Sequence, residues 1–151
     1  GTLFAVEHEG VRADMVIIGK ALSGGFYPVS AVLSDKPILG LFRPGDHGST
    51  YGGNPLGAAV ARAALAVLRD EKLVQQSKTL GDYFKGRLQR IESEHIKELH
   101  EPARRFCEAL QGRGILCKET HENVIRFAPP LVISKAEIDW ALSHIEPVLM
   151  D

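Results

Sequence analysis

The sequence predicts an α/β fold, in which the end of a sheet-containing domain is followed by a smaller α+β domain. Two observations support this prediction. In the first half, short apolar runs precede a clearly capped helix, and in the second half two helical patterns flank a single alternating run. The composition agrees, because 151 residues with 44% hydrophobic and 25% charged side chains are typical of a globular chain.

Charge and cysteine content argue against several classes of function. The chain has 18 basic and 19 acidic side chains and no basic block, so nucleic acid is not an expected partner. Cys107 and Cys117 form no CxxC pair, which argues against a metal site and predicts two small buried apolar residues. No apolar run approaches the ~18 residues of a membrane span. We therefore expect a soluble cytoplasmic protein, or a mitochondrial matrix protein if a transit peptide stands upstream.

Two strands and a helix are predicted in the first half. Residues 14–19 (DMVIIG) are a short apolar run bounded by Asp and Gly, which predicts a buried strand, and residues 28–33 (PVSAVL) predict a second strand. Residues 37–42 are apolar without a clear period. Asn54 and Pro55 predict the start of a helix, because asparagine caps well and proline fits the first helical position. Apolar residues follow at helical spacing: Leu56, Val60, Ala63, Val67 and Leu68.

The second half predicts three helices and a strand. A long helix over residues 72–99 would place one apolar face inward, formed by Leu73, Leu80, Phe84, Leu88 and Ile91. A shorter helix is predicted over 102–110, and residues 124–128 (VIRFA) alternate like a strand that two prolines end. Ser134 and Glu137 match a capping box, which predicts a closing helix with an inward face of Ile138, Leu142, Ile145 and Val148.

Lys20 is the first candidate for chemistry, because it directly follows the first predicted strand and precedes a loop of small residues, Ser23, Gly24 and Gly25. A phosphate-binding P-loop is not matched, since Ala21 follows the lysine where that motif needs a hydroxyl residue. A half-buried lysine amine at this place could form a Schiff base, because desolvation lowers its pKa and frees the lone pair. The alternative is a surface lysine at a turn.

Residues 45–57 (GDHGSTYGGNPLG) contain the second candidate site. Ser49 and Thr50 offer adjacent hydroxyls on a glycine-rich loop, close to the predicted helix start at Asn54. This arrangement suits a phosphate monoester, which backbone N–H groups and hydroxyls at a helix start can bind. The alternative is a flexible loop that merely leads into the helix.

Arg126 is the third candidate. It lies on the predicted strand that ends at Pro129 and Pro130, where a rigid backbone could direct the guanidinium at a carboxylate. The alternative is an arginine that pairs with an acid on the surface of its own domain.

A lysine amine, a phosphate loop and a carboxylate-binding arginine are what a pyridoxal-phosphate enzyme acting on amino acids requires. Three stretches, GKALSGGFYPVSAVL, HGSTYGGNPLG and VIRFAPPLVI, resemble the class III, fold-type I aminotransferases, in family order and over most of the chain. The resemblance implies that Lys20 is the Schiff-base lysine for pyridoxal 5'-phosphate. It implies that Thr50, with Ser49 beside it, reaches the cofactor phosphate of a neighbouring subunit, so that the active unit is a homodimer or larger. Arg126 would hold the α-carboxylate of glutamate or 2-oxoglutarate.

The resemblance also implies a reaction and a place within the family fold. The sequence is most similar to members that transfer the δ-amino group of ornithine to 2-oxoglutarate. Acetylornithine or another ω-amino acid is an alternative donor, and a non-catalytic fragment or paralogue acting as a dimerisation module is an alternative of another class. Residues 1–72 would end the cofactor-binding large domain, 73–99 would form a connecting helix, and 100–151 would form the small C-terminal domain.

Two departures from the family pattern qualify these expectations. A family strand is expected to be missing near residues 99 and 100. The aspartate that pairs with the pyridinium nitrogen, the ring-stacking aromatic residue and the main phosphate loop would all lie upstream of Gly1. We therefore expect the 151-residue segment alone to be inactive.

Overall fold

The computed structural model describes residues 1–93 and 102–151. They fall into two compact units, Gly1–Gln75 and Gln76–Asp151. The domain limits predicted at residues 72 and 99 stay a prediction. The strand expected to be missing near residues 99 and 100 falls outside the described residues.

A two-stranded antiparallel sheet lies near the start of the first unit. Strand β1 spans Met15–Ile18 and strand β2 spans Ala31–Ser34, with Met15 opposite Ser34 and Ile18 opposite Ala31. The Ser34 hydroxyl donates a hydrogen bond to the Asp14 carbonyl at 2.6 Å, which fixes one end of the ribbon. Both strands predicted from the sequence are confirmed.

The prediction that the first strand is buried is wrong for this unit. Ile17, in the middle of β1, is 80% exposed, and Met15 is exposed as well. A short apolar run shows that a strand is suited to burial, but burial also requires a second layer of structure. Within the described residues, no such layer covers the side of β1 that carries Ile17.

Two helices follow the sheet in the first unit. Helix α1 is a single turn, Lys36–Leu39, preceded by Asp35, in a region where the sequence shows no period. Helix α2 spans Pro55–Asp70, and the predicted cap is confirmed, since Gly57 N donates to Asn54 Oδ1 at 2.7 Å. The buried residues Gly57 and Ala61 mark the inward face of α2.

The second unit combines helices and a small sheet. Helix α3 spans Leu73–Leu88 and begins at the end of the first unit; it is followed by helix α4 (Arg104–Gly112), strands β3 (Lys118–Thr120) and β4 (Val124–Arg126), and helix α5 (Lys135–Met150). The strands are antiparallel, with Lys118 opposite Arg126. The predicted capping box is confirmed, because Ser134 Oγ accepts from Glu137 N while Glu137 accepts from Ser134 N at 2.8 Å.

The long helix predicted over residues 72–99 is wrong in its length. Helix α3 ends at Leu88, and residues 89–93 are not helical, while residues 94–99 fall outside the described part. Ile91 is nevertheless buried, since the chain leaves the helix and places this side chain in the core. The apolar spacing predicted burial correctly and the local conformation incorrectly.

The core of the second unit is formed mainly by α4 and α5. Its buried side chains are Ile91, Phe106, Leu110, Ile115, Ile145, Val148 and Leu149. Cys107 is buried, and Cys117 is half-buried and packs against this core; both are free thiols. Burial, followed by the neighbouring Cys107 thiol, raises the pKa of Cys117 to about 12, so this cysteine stays protonated at neutral pH.

Candidate active site

Lys20 lies at the carboxyl end of β1, separated from it only by Gly19. A Cβ on Gly19 would come within 3.2 Å of Ser30 Cβ, so a glycine suits this close approach to the chain entering β2. Lys20 has a φ of 51°, which is in the left-handed region that side-chain-bearing residues seldom adopt. Its side chain is exposed, so the half-buried position predicted from the sequence is wrong within the described residues.

Lys20 is the first residue of a short 3-10 helix, Lys20–Ser23. Ser23 is only 3% exposed, and its Oγ accepts a hydrogen bond from Tyr27 N at 3.1 Å. Gly24 ends this helix in the left-handed region, where its N–H donates to Ala21 O at 2.9 Å. The backbone around Lys20 is therefore held by its own turn and by a buried serine.

A groove of about 670 Å³ runs from Lys20 towards the glycine-rich loop. Ser49 is among its lining residues, so the structure brings the first predicted site and one hydroxyl of the second together. Thr50 is exposed and is not among the lining residues. The groove also includes residues that the sequence argument did not single out: Ser30, Tyr51, Gly52 and Gly53. Their only signal in the sequence was membership of the same two motifs.

The glycine-rich loop is fixed by hydrogen bonds from its own side chains. Ser49 Oγ accepts from Gly52 N at 3.0 Å, which leaves the Ser49 hydroxyl proton available for an anion. Asn54 Nδ2 donates to Tyr51 O at 2.8 Å while its Oδ1 caps α2. These bonds give the loop a defined turn, and its role in binding a phosphate stays a prediction.

Arg126 lies on β4 in the second unit, and its side chain is exposed. The next residue, Phe127, packs edge-on against Phe84 of α3, with ring centroids 5.8 Å apart and planes at 84°. This contact holds the end of β4 against the helix. Lys20 and Arg126 belong to different units of the chain.

Three of the four predicted site residues, Lys20, Thr50 and Arg126, share one property within residues 1–93 and 102–151. No hydrogen-bond or ion-pair partner in that part of the chain meets Lys20 Nζ, Thr50 Oγ1 or the Arg126 guanidinium. Within these residues Arg126 therefore has no acidic partner, as the alternative of a surface ion pair would require. An unpaired amine can condense with a carbonyl, a free hydroxyl can donate to an anion, and a free guanidinium can bind a carboxylate.

Two further observations concern the described part of the chain. None of its helices combines the length and the apolar character that crossing a membrane demands. It also contains no group of three or more His, Cys, Asp or Glu side chains placed to hold a metal ion.

Known relatives extend over nearly the whole chain. It is 54% identical to the ornithine aminotransferase of Halalkalibacterium halodurans and 52% identical to that of Bacillus subtilis, in both cases over 99% of this chain. The chain spans 40% of the length of these curated relatives.

Solved structures agree with these relatives. An acetylornithine aminotransferase from Elizabethkingia anophelis superposes with a TM-score of 0.87 at 40% identity, over 98% of this chain and 43% of that one. An ornithine aminotransferase from Toxoplasma gondii, with partial occupancy of PLP at its active site, gives a TM-score of 0.89 at 37% identity, over 98% and 39%. These structures confirm the predicted fold class, part of a fold-type I aminotransferase. The sequence model of the family 'Aminotransferase class-III' matches residues 1–149, and the chain belongs to this family.

Proposed function

We propose that this chain forms part of a pyridoxal-phosphate-dependent ornithine δ-aminotransferase, which passes the δ-amino group of ornithine to 2-oxoglutarate and yields glutamate semialdehyde and glutamate. One observation carries the proposal: the chain is more than half identical to ornithine aminotransferases over 99% of its length. The unpaired amine of Lys20 in an open groove supports it, because this enzyme class requires such an amine. A cytoplasmic location is part of the same proposal.

The residues present fit this cofactor. Lys20 supplies the amine for covalent attachment, and Ser49 lines the same groove with a hydroxyl proton still free to donate. When bound, pyridoxal phosphate supplies a carbonyl for attachment and a ring that accepts electrons from the reacting carbon. The Lys20 amine would also be the base that moves a proton at the carbon bearing the transferred nitrogen.

Thr50 is assigned to the partner subunit's cofactor in this proposal. Its hydroxyl is exposed and lies outside the lining of the groove that contains Lys20, which favours a role away from the cofactor of its own chain. The active unit is then a homodimer or a larger assembly. Each cofactor phosphate would receive one hydroxyl from across the interface.

Arg126 binds the α-carboxylate of the 2-oxoglutarate acceptor. The guanidinium is exposed and free of partners within the described residues, and a bidentate pair with a carboxylate is its preferred contact. Ornithine reacts through its δ-amine, at the end of the molecule opposite its own α-carboxylate. Arg126 should therefore matter more to the acceptor than to the donor.

Acetylornithine is the second candidate donor. The acetylornithine aminotransferase structure is 40% identical to this chain, slightly more than the 37% of the Toxoplasma gondii ornithine aminotransferase. Single-turnover rates with ornithine and with acetylornithine, measured on the same loaded enzyme, separate the two. A higher kcat/KM for acetylornithine would overturn the choice of ornithine.

The experiment that tests the function is Lys20→Ala in the full-length protein. Borohydride reduction followed by peptide mass spectrometry should find the cofactor attached to Lys20 in the wild type and to no lysine in the variant, and transamination should be lost. Lys72→Ala is the matched control, because Lys72 is also an exposed lysine with a left-handed backbone, φ 54°. Attachment that persists in Lys20→Ala would overturn the assignment of Lys20, whereas no cofactor on the wild type would overturn the proposal in favour of a non-catalytic module.

A further inference from the structure

The loop that follows Arg126 has little backbone hydrogen bonding of its own. Pro129 and Pro130 have no N–H to donate, and a turn closes only when Ile133 N donates to Pro130 O at 3.0 Å. Ser134 then caps α5. Residues 128–132 are exposed and 133 is half-buried, so contacts from elsewhere in the chain add to this single turn in holding the segment between β4 and the cap.

Gln76 supplies two of those contacts. It lies in the first turn of α3, and its Nε2 donates to Ile133 O at 3.2 Å and to Leu131 O at 3.4 Å. Both partners are carbonyls, which only accept hydrogen bonds, so the amide nitrogen must face them. One side chain thus ties together two residues of the loop that lie 55 and 57 positions away in sequence.

The same face of α3 reaches the end of β4. Gln76, Leu80 and Phe84 recur at four-residue spacing and therefore lie along one side of the helix. Phe84 packs edge-on against Phe127, the neighbour of Arg126. Helix α3 therefore contacts the segment that carries Arg126 at both ends, through an aromatic pair at one and through Gln76 at the other.

Packing between these two contacts is loose. A cavity of about 90 Å³ separates α3 from the loop, with Leu80, Gly81, Pro129 and Pro130 among its lining residues. Across this gap the facing side chains of α3 and the loop lose part of their van der Waals contact. The hydrogen bonds from Gln76 therefore carry a larger share of the restraint on the loop.

We propose that Gln76 is a positioning residue for Arg126: by tying Leu131 and Ile133 to α3 it fixes the chain that follows β4, and so the direction in which the guanidinium meets the carboxylate of the acceptor. This inference rests on the acceptor role proposed for Arg126. In this proposal Gln76 acts through Arg126 rather than on the substrate.

Two variants in the full-length loaded enzyme test the inference. Gln76→Glu keeps the shape of the side chain and removes the donor, and Gln76→Leu removes all polar contact. Gln111→Leu, an exposed glutamine on α4, is the matched control. The probe is glutarate, a dicarboxylate without the reacting keto group, and its Kd is measured by titration beside the KM for 2-oxoglutarate.

We expect both Gln76 variants to raise the glutarate Kd and the KM for 2-oxoglutarate about three- to tenfold, which corresponds to a partial loss of one charge-assisted contact. The rate of the ornithine half-reaction should not change. Hydrogen exchange of the peptide spanning residues 124–134 should become faster in both variants and stay as in the wild type in Gln111→Leu.

Three results would count against the inference. An unchanged glutarate Kd in Gln76→Glu would overturn the donor role, and equal losses for ornithine and 2-oxoglutarate would make Gln76 a general structural residue. Arg126→Lys is measured in parallel. If that variant also leaves the glutarate Kd unchanged, the acceptor role of Arg126 itself fails; if it raises the Kd and the Gln76 variants do not, only the inference on Gln76 fails.

Discussion

Asn54 donates a hydrogen bond from Nδ2 to the Tyr51 carbonyl at 2.8 Å, while its Oδ1 accepts from the first turn of α2. One side chain therefore fixes the glycine-rich loop and begins the helix that supports it. The two functions use different atoms of the same amide, so they can be separated by substitution.

Asn54→Ala should lower the free energy of unfolding by about 1 kcal/mol, because the helix loses its cap. Asn54→Asp keeps an oxygen acceptor for Gly57 N and removes the donor to Tyr51 O. Its free energy of unfolding should therefore be close to that of the wild type, while its cofactor affinity should be lower than that of the wild type. Urea unfolding and cofactor titration of the full-length protein measure the two effects. Equal cofactor affinity in Asn54→Asp and wild type would show that the bond to Tyr51 does not matter for binding.

Thr50→Val should weaken cofactor binding. Loss of one hydroxyl donor to a charged acceptor is worth roughly 1.5–3 kcal/mol, which corresponds to about a tenfold to hundredfold change in Kd or somewhat more. Mixed dimers decide whether the hydroxyl acts across the interface. A dimer of one Lys20→Ala and one Thr50→Val subunit has one site with an intact Lys20 that faces an intact Thr50 of the other subunit. That site should bind cofactor like the wild type, and a weak site would place Thr50 beside its own cofactor.

Arg126→Lys should reduce kcat/KM for 2-oxoglutarate about thirty- to a thousandfold, because an ammonium keeps the charge and loses the two parallel hydrogen bonds of the guanidinium. Single-turnover kinetics of each half-reaction check this expectation. The ornithine half-reaction should suffer less. Equal losses in the two would mean that Arg126 shapes the site in general, and no loss in either would leave it as a surface arginine.

The pairing of Asp139 should make stability depend on acidic pH. Its carboxylate on α5 accepts from Lys135 Nζ at 2.7 Å and from the hydroxyl of Tyr83 on α3. The hydrogen bond from Lys135, followed by that from Tyr83, lowers the pKa of Asp139 below its ordinary 3.8. A lowered folded-state pKa gives stability that is present above 3.8 and is lost as the pH falls through the lowered value.

Asp139→Asn should therefore be less stable than the wild type at pH 7, and the difference should shrink as the pH falls below 3.8. Urea midpoints across this range provide the measurement. Asp82→Asn is the comparison. Within the described residues Asp82 pairs with Lys78 of its own helix at 2.9 Å, which also lowers its pKa, but both side chains are well exposed, so a smaller dependence on pH is expected. If the stability difference between Asp139→Asn and the wild type does not change with pH, the charge of Asp139 is not what stabilises the protein, and the shape of the side chain is.

Local signals predicted much of the fold. The cap at Asn54, the proline that follows it and the capping box of Ser134 with Glu137 each satisfy free N–H groups at a helix start, so their sequence pattern is sufficient to locate that start. The end of α3 at Leu88 was not predictable in this way. Ile91 keeps the helical spacing of apolar residues but reaches the core from a non-helical segment, and spacing alone cannot distinguish these two routes to burial.

The candidate site was likewise predicted only in part. The motifs identified Lys20, Ser49, Thr50 and Arg126 as residue types suited to the chemistry. They did not predict which parts of the fold would surround these four residues. The exposure of Lys20 depends on which layers cover β1, which a four-residue strand does not encode. The contact of Gln76 with Leu131 and Ile133 joins positions more than fifty residues apart and leaves no local pattern.

Under the proposed function, the left-handed backbone of Lys20 sets stability and activity against each other at one position. At a φ of 51° a side chain adds strain of about 1 kcal/mol or more, which glycine would not add. Glycine would also make the unfolded chain more disordered, and this partly offsets the gain. Replacing this lysine by glycine should therefore give a protein that is no less stable and has no amine to react. The lysine at this position therefore costs stability, which the amine chemistry proposed for the end of β1 would explain.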